Sequence, residues 1–133
     1  MKYLLDASIV VPLLIPEENS EKIATIVEAL DELLYLDFTR IEASNALWKA
    51  CRTGRIDSSA ASTAQEKLFR VCSQTIAANS YLAGALVLSI HINHPIYDCL
   101  YAIAARENGA MLVTCDAKFA AKLDTSICRV QVI

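Results

Sequence analysis

The stretch from residue 96 to 105, IYDCLYAIAA, is apolar at almost every position. Pro95 stands just before it and suits a helix start, where its missing N–H is not needed. A helix that is greasy on most sides must be surrounded by other protein, so the rest of the chain has to cover it from several directions. With 133 residues, 55% hydrophobic and 20% charged, the sequence has the material for one such core without disulfide staples. No repeat, low-complexity tract or Gly/Ser linker divides it, and a single domain over 1–133 is expected. One residue of the greasy helix is out of character. Asp98 sits in its first turn, and burying an unpaired charge is costly.

The remaining pattern supplies the cover. Short apolar runs suited to buried strands fall at residues 2–6, 33–37, 111–115 and 128–133, with a further short candidate at 75–78. Helical patterns lie between them. A short helix or turn follows the first run, and a helix spans about 20–30. A long helix opens at Thr39-Arg-Ile-Glu42, which has capping-box spacing, and stops at Gly54. Asp57 caps a helix to about Ser73, and Asn79 caps an apolar helix that ends before Pro95. The greasy helix stops at Gly109, and a last short helix follows Asp116. Strands that alternate with helices on continuous apolar runs predict an α/β fold, a central parallel sheet covered on both faces.

Several function classes fall away at once. The apolar run at 9–16 is short and broken by Pro12 and Pro16, so it does not read as a membrane span. The opening residues reach Asp6 too soon for a signal peptide. Five cysteines, odd in number and never paired as Cys-x-x-Cys, argue against a disulfide framework or structural zinc and fit a reducing cytoplasm. Three glycines leave no phosphate-binding glycine loop. His91 and His94 have no partner completing a zinc set and read as helix-end residues, while Tyr97 and Tyr101 read as packing. A net charge of −3 offers no general attraction to a polyanion.

The acids carry the chemistry. In an open parallel sheet, ligands bind outside the carboxyl ends of the strands. Asp6 ends the first strand, and Asp116 follows the strand at 111–115. Glu42 and Asp98 lie in the first turns of their helices. Each has a plain explanation as a helix cap or dipole partner. Together, however, they would crowd one rim, where like charges repel and raise one another's pKa. A hard divalent cation, Mg²⁺ or Mn²⁺, resolves that crowding through oxygen ligands, and it would meet the charge of Asp98 at the exposed end of its helix. The chemistry implied is metal-assisted displacement at phosphorus. Glu42, Asn45, Lys49 and Arg52 share one helical face, which suits a metal site grading into phosphate contacts and equally an ordinary solvated face. Lys118 and Lys122 lie just beyond Asp116, with the same two readings.

At these acids the sequence resembles the PIN-domain family, and within it the VapC-type toxins of toxin–antitoxin pairs. The matching pieces are YLLDAS, TRIEASNALWK, YDCLYAIAARENGAMLVTCDAKF and the terminal strand. The resemblance implies a three-layer α/β/α domain that hydrolyses phosphodiester bonds in RNA as an endoribonuclease, with Mg²⁺ or Mn²⁺ as cofactor. By position, Asp6 and Asp98 match the main metal ligands, and Glu42 and Asp116 match the acids that complete the pocket. Ser8 and Thr114 match supporting hydroxyls. A homodimer and a cognate antitoxin are the implied partners. Two positions depart from the pattern: Ala7 stands where many relatives carry a hydroxyl, and Lys118 where many carry a further acid. One metal site is therefore expected more firmly than a second. Two other classes compete, a catalytically idle member that binds RNA or protein and a phospho-acceptor domain. Asp6 lacks the adjacent acid that the latter would need.

Overall fold

The computed structural model describes residues 1–133. Four strands, β1 (Lys2–Leu5), β2 (Glu32–Leu34), β3 (Ala110–Thr114) and β4 (Val130–Val132), form one sheet in the order β2-β1-β3-β4. All three ladders are parallel; Tyr3 pairs with Leu33 on one side and Met111 on the other. Seven helices cover it: α1 (Ala7–Leu14), α2 (Ser20–Glu28), α3 (Asp37–Arg52), α4 (Ser58–Val71), α5 (Leu82–Ile92), α6 (Ile96–Glu107) and the short α7 (Ala117–Ala120). This is the expected α/β/α sandwich. No helix is long and apolar enough to cross a membrane.

Successive side chains of a strand point to opposite faces, and the core divides accordingly. Leu4 and Leu112 enter a cluster with Ala85, Leu88 and residues 99–105 of α6. Leu5 and Val113 enter the other cluster, with Ile9 and Val10 of α1, Ala43 and Leu47 of α3, and Leu68 of α4. Helix α6 is buried continuously from Cys99 to Ala105, as its composition requires. Its close packing against α5 depends on Gly84: a Cβ there would lie 3.0 Å from Cγ2 of Ile103.

Four local expectations need correction. The run at 33–37 leaves the sheet after Leu34, and α3 begins at Asp37 rather than Thr39. The cause lies in the segment at 75–78, which makes one parallel bridge, Leu36 to Ile76, instead of a strand. Ile76 N–H donates to Tyr35 O at 2.9 Å and Asp37 N–H to Ile76 O at 3.0 Å. The Asp37 carboxylate then takes the N–H of Ala78 at 2.9 Å and draws the chain off the ladder into a 3-10 turn, Ala78–Tyr81. Asn79 lies inside that turn and makes no side-chain cap for α5. Since α3 starts early, Thr39 sits within it, fully buried, and the expected capping box does not form. The caps expected at Asp57 and Asp116 do form, through bonds to Ala60 N and Phe119 N.

Candidate active site

The carboxyl ends of β1 and β3 are stitched together by one serine. Ser8 Oγ accepts from Cys115 N–H at 2.8 Å, donates to Asp6 Oδ1 at 2.5 Å and lies 3.4 Å from Thr114 Oγ1. Thr114, fully buried, accepts in turn from Asp116 N–H at 3.0 Å. Pro12 contributes to this seam. It has no N–H for the carbonyl four residues back, so Ser8 O is free to face Cys115 Sγ at 3.6 Å. Both hydroxyls singled out in the sequence therefore support the acids, and Ser8 does so despite Ala7 beside it.

Asp6 caps α1, accepting from Ile9 N–H at 3.3 Å through the same Oδ1. Burial raises its pKa from 3.8 to about 6; bonds from Ser8, Thr114 and Ile9 oppose the rise, and the Asp98 charge adds to it. Glu42 points from the second turn of α3, not the first. Its Oε1 accepts from Tyr101 OH at 2.6 Å, and that phenol lies 3.0 Å from Thr39 Oγ1. Since the phenol gives its proton to Glu42, the threonine donates to it. Burial lifts Glu42 from 4.5 to about 7, with the Tyr101 bond pulling it down and the Asp98 and Asp6 charges pushing it up. Asp98 stands where its helix opens to solvent: its side chain is 37% exposed, and its Oδ2 meets His94 Nε2 at 2.7 Å. Asp116 is exposed and caps α7.

The fold thus brings Asp6, Glu42 and Asp98 within electrostatic reach of one another, and it ties Asp116 to them through Thr114 and Ser8. Glu42, Asp98 and Asp116 each give one oxygen to a protein hydrogen bond and leave the other unpaired. No three His, Cys, Asp or Glu side chains are gathered tightly enough to cage an ion by themselves. A donor set of this kind fits an open site for a hard cation that keeps most of its waters and takes only one or two carboxylates directly. Beside it runs a groove of about 470 Å³ between α1 and α3, lined by Ser8, Asn19, Glu42, Asn45 and Lys49 among others. Arg52 is not in its wall. The guanidinium turns outward over the Trp48 ring, 5.1 Å from the centroid, so the shared helical face reaches only as far as Lys49. Lys118 is exposed on α7, and Lys122 faces His94 instead of the groove.

The sequence reading missed three contributors. The spacing predicts a cap at Thr39 and packing at Tyr101, yet in the fold together they hold Glu42. His94 reads in the sequence as a helix-end residue, yet in the fold it grips Asp98, four residues further along the chain. Tyr97 stacks its ring on Phe38 at 5.8 Å between centroids, yet it stays exposed, so the packing expected of it is only partial.

The chain matches the PIN domain family model over residues 3–124. It is 34% identical to Ribonuclease VapC3 of Pyrobaculum aerophilum, covering 92% of this chain and 95% of that protein. It is 32% identical to Exonuclease VapC9 of the same organism, covering 96% and 90%. Among solved structures, PAE2754 from Pyrobaculum aerophilum superposes with a TM-score of 0.75 at 30% identity, over 99% of this chain and 84% of that one. VapBC2 from Rickettsia felis, bound to a DNA fragment from its promoter, shares the fold at a TM-score of 0.67 and 15% identity, over 100% and 99%. Matched along nearly its whole length, the chain belongs to the PIN-domain family.

Proposed function

We propose that this protein is a metal-dependent endoribonuclease and the toxin of a toxin–antitoxin pair. The observation that carries the reading is the trio Asp6, Glu42 and Asp98 at the open end of a parallel sheet, where burial raises Asp6 and Glu42 and the Asp98 charge adds to both. Such an arrangement stores repulsion that a divalent cation relieves. Relatives named ribonuclease and exonuclease support the same chemistry. Asp6 and Asp98 would hold Mg²⁺ or Mn²⁺ directly, with Glu42 and Asp116 completing the pocket directly or through water. The bound cation would supply an activated water and neutralise charge on the phosphate. The chain's own residues set the frame. Ser8 and Thr114 fix Asp6, Tyr101 fixes Glu42, and Lys49 in the groove wall is placed to meet an RNA phosphate, with Asn45 one turn away. Lys118 at the rim is available to a longer RNA; Arg52, turned onto Trp48, is not part of this surface.

An antitoxin partner is supported by the kinship with Ribonuclease VapC3 and the likeness to VapBC2, and a cytoplasmic location goes with that role. Pairing of two copies is supported by α5, where Leu86, Val87 and Ile90 are exposed side by side, an apolar stripe unusual for a surface helix. A phospho-acceptor domain would need an acid after a mid-chain strand, and the mid-chain segment makes only one bridge, at Ile76.

The test is cleavage of linear and circular RNA with Mg²⁺ or Mn²⁺, wild type beside Asp98→Asn, with EDTA controls and any antitoxin stripped away. Metal-dependent cutting of both RNAs that Asp98→Asn abolishes is the expected result. Cutting of linear RNA alone would make the enzyme an exonuclease. Equal activity of both proteins would refute the site, and no Mn²⁺ binding together with no cutting would identify an idle binding module.

A further inference from the structure

His94 precedes α6, and every polar atom it owns is engaged. Its N–H donates to Ser89 O at 3.1 Å, and its carbonyl accepts from Ser89 Oγ at 2.5 Å. On the ring, Nε2 lies 2.7 Å from Asp98 Oδ2 and Nδ1 lies 3.2 Å from Lys122 Nζ. The same ammonium reaches Asn93 O at 3.2 Å, at the left-handed residue (φ 51°) that ends α5. The ring packs on Phe119, centroids 4.6 Å apart, and only 14% of the side chain is exposed. A histidine that merely fills the end of a helix does not need partners on both ring nitrogens.

The two partners decide where the ring proton sits. An ammonium has donors only, so Nδ1 must accept. A proton on Nδ1 would face the Lys122 charge directly. The ring proton is therefore on Nε2, aimed at Asp98. A side chain that fixes a carboxylate by hydrogen bond also fixes how that carboxylate meets a metal, and such outer partners matter greatly to metal sites. Here the chain runs from Lys122 through His94 to Asp98 Oδ2 and leaves Oδ1 without a partner in the protein.

We propose that His94 and Lys122 are positioning residues that orient Asp98, holding Oδ2 so that Oδ1 is presented to the metal and substrate. The proposal rests on the nuclease reading for its consequence, though not for its geometry. It also gives Lys122 a role inside the protein instead of at an RNA phosphate.

The test compares wild type, His94→Phe, His94→Gln and Lys122→Met in three measurements: imidazole ¹H–¹⁵N spectra, Mn²⁺ affinity by paramagnetic resonance, and cleavage of RNA resolved into kcat and KM. Wild type should show the Nε2–H tautomer, and Lys122→Met should mix in the other. His94→Phe keeps the packing on Phe119 but has no donor. It should lose about 10- to 100-fold in Mn²⁺ affinity, and in kcat at saturating metal, with KM little changed. Glutamine can both donate to Asp98 and accept from Lys122, and should stay within about threefold of wild type. An Nδ1–H wild-type ring, or His94→Phe binding Mn²⁺ as tightly as wild type, would overturn the proposal. If wild type binds Mn²⁺ yet cuts no RNA, the nuclease reading fails, while affinities and tautomer still decide the positioning role. Should His94→Phe not fold, the tautomer shift in Lys122→Met decides it alone.

Discussion

Replacing Asp6 with asparagine removes one charge and little else. Asparagine is as good an N-cap as aspartate, so the bond from Ile9 N–H to the start of α1 survives. What disappears is the cost of holding an ionised carboxylate at this partly buried seam. A folded-state pKa of about 6 against an ordinary 3.8 corresponds to about 3 kcal/mol at neutral pH. The sign follows from which form the fold prefers. Below the ordinary value the group is neutral in both states and costs nothing. As pH rises from about 4 to beyond 6, the unfolded chain ionises freely while the folded one resists, and stability falls. Solvent contact at the rim and the weakened Ser8 bond reduce the expected gain to about 1–2 kcal/mol. Urea unfolding in EDTA should therefore show Asp6→Asn more stable than wild type at pH 7.5 and no more stable at pH 4. The melting temperature at pH 7.5 should rise by roughly 4–8 °C. Adding Mn²⁺ should reverse the order, because a ligand that binds only the folded state stabilises the protein that holds it better. A variant less stable than wild type at pH 7.5 in EDTA, or a difference that does not change with pH, would refute the reasoning.

Two further substitutions probe the contacts of α6. Tyr101→Phe leaves the buried Thr39 hydroxyl and Glu42 Oε1 without their shared partner. It should cost about 2 kcal/mol in urea unfolding and move Glu42 still higher than about 7, as read by carboxyl ¹³C titration; an unmoved Glu42 would show that the phenol does not hold it. Gly84→Ala gains about 1 kcal/mol of helix propensity but forces a methyl to 3.0 Å from buried Ile103. Overpacking should win by about 1 kcal/mol, and a raised melting temperature would mean that α5 and α6 can part without loss.

The sheet and its order of helices were legible because apolar runs bounded by turns leave few alternatives, and β3 and α6 are almost unbroken runs. The caps at Asp57 and Asp116 were legible because capping is local chemistry, settled within three residues. Thr39-x-x-Glu42 shows where local reading ends. Its spacing is that of a capping box, but the parallel bridge from Ile76 starts the helix two residues earlier and turns both side chains toward Tyr101. Only a partner some sixty residues away along the chain reveals their role. Arg52 was misplaced for a related reason: helical periodicity puts it on the face of Lys49, whereas the exposed Trp48 ring draws its guanidinium aside. Asp98 stands out in the sequence as a lone acid on a greasy helix, and its partner in the fold is a histidine.

The order of the strands has a consequence for how the protein is made. Of the four strands, β1 comes earliest along the chain yet stands inside the sheet, and its neighbour β3 begins only at Ala110. Ser8 cannot bridge to Cys115 and Thr114 until that late segment has left the ribosome. Asp6 and Glu42 emerge well before Asp98 and the β3 seam that complete their surroundings. Contacts so distant along the chain close last, so a truncated or stalled product carries half of the acids and no pocket. On the reading proposed above, RNA therefore meets an active site only in molecules that have been translated through β3.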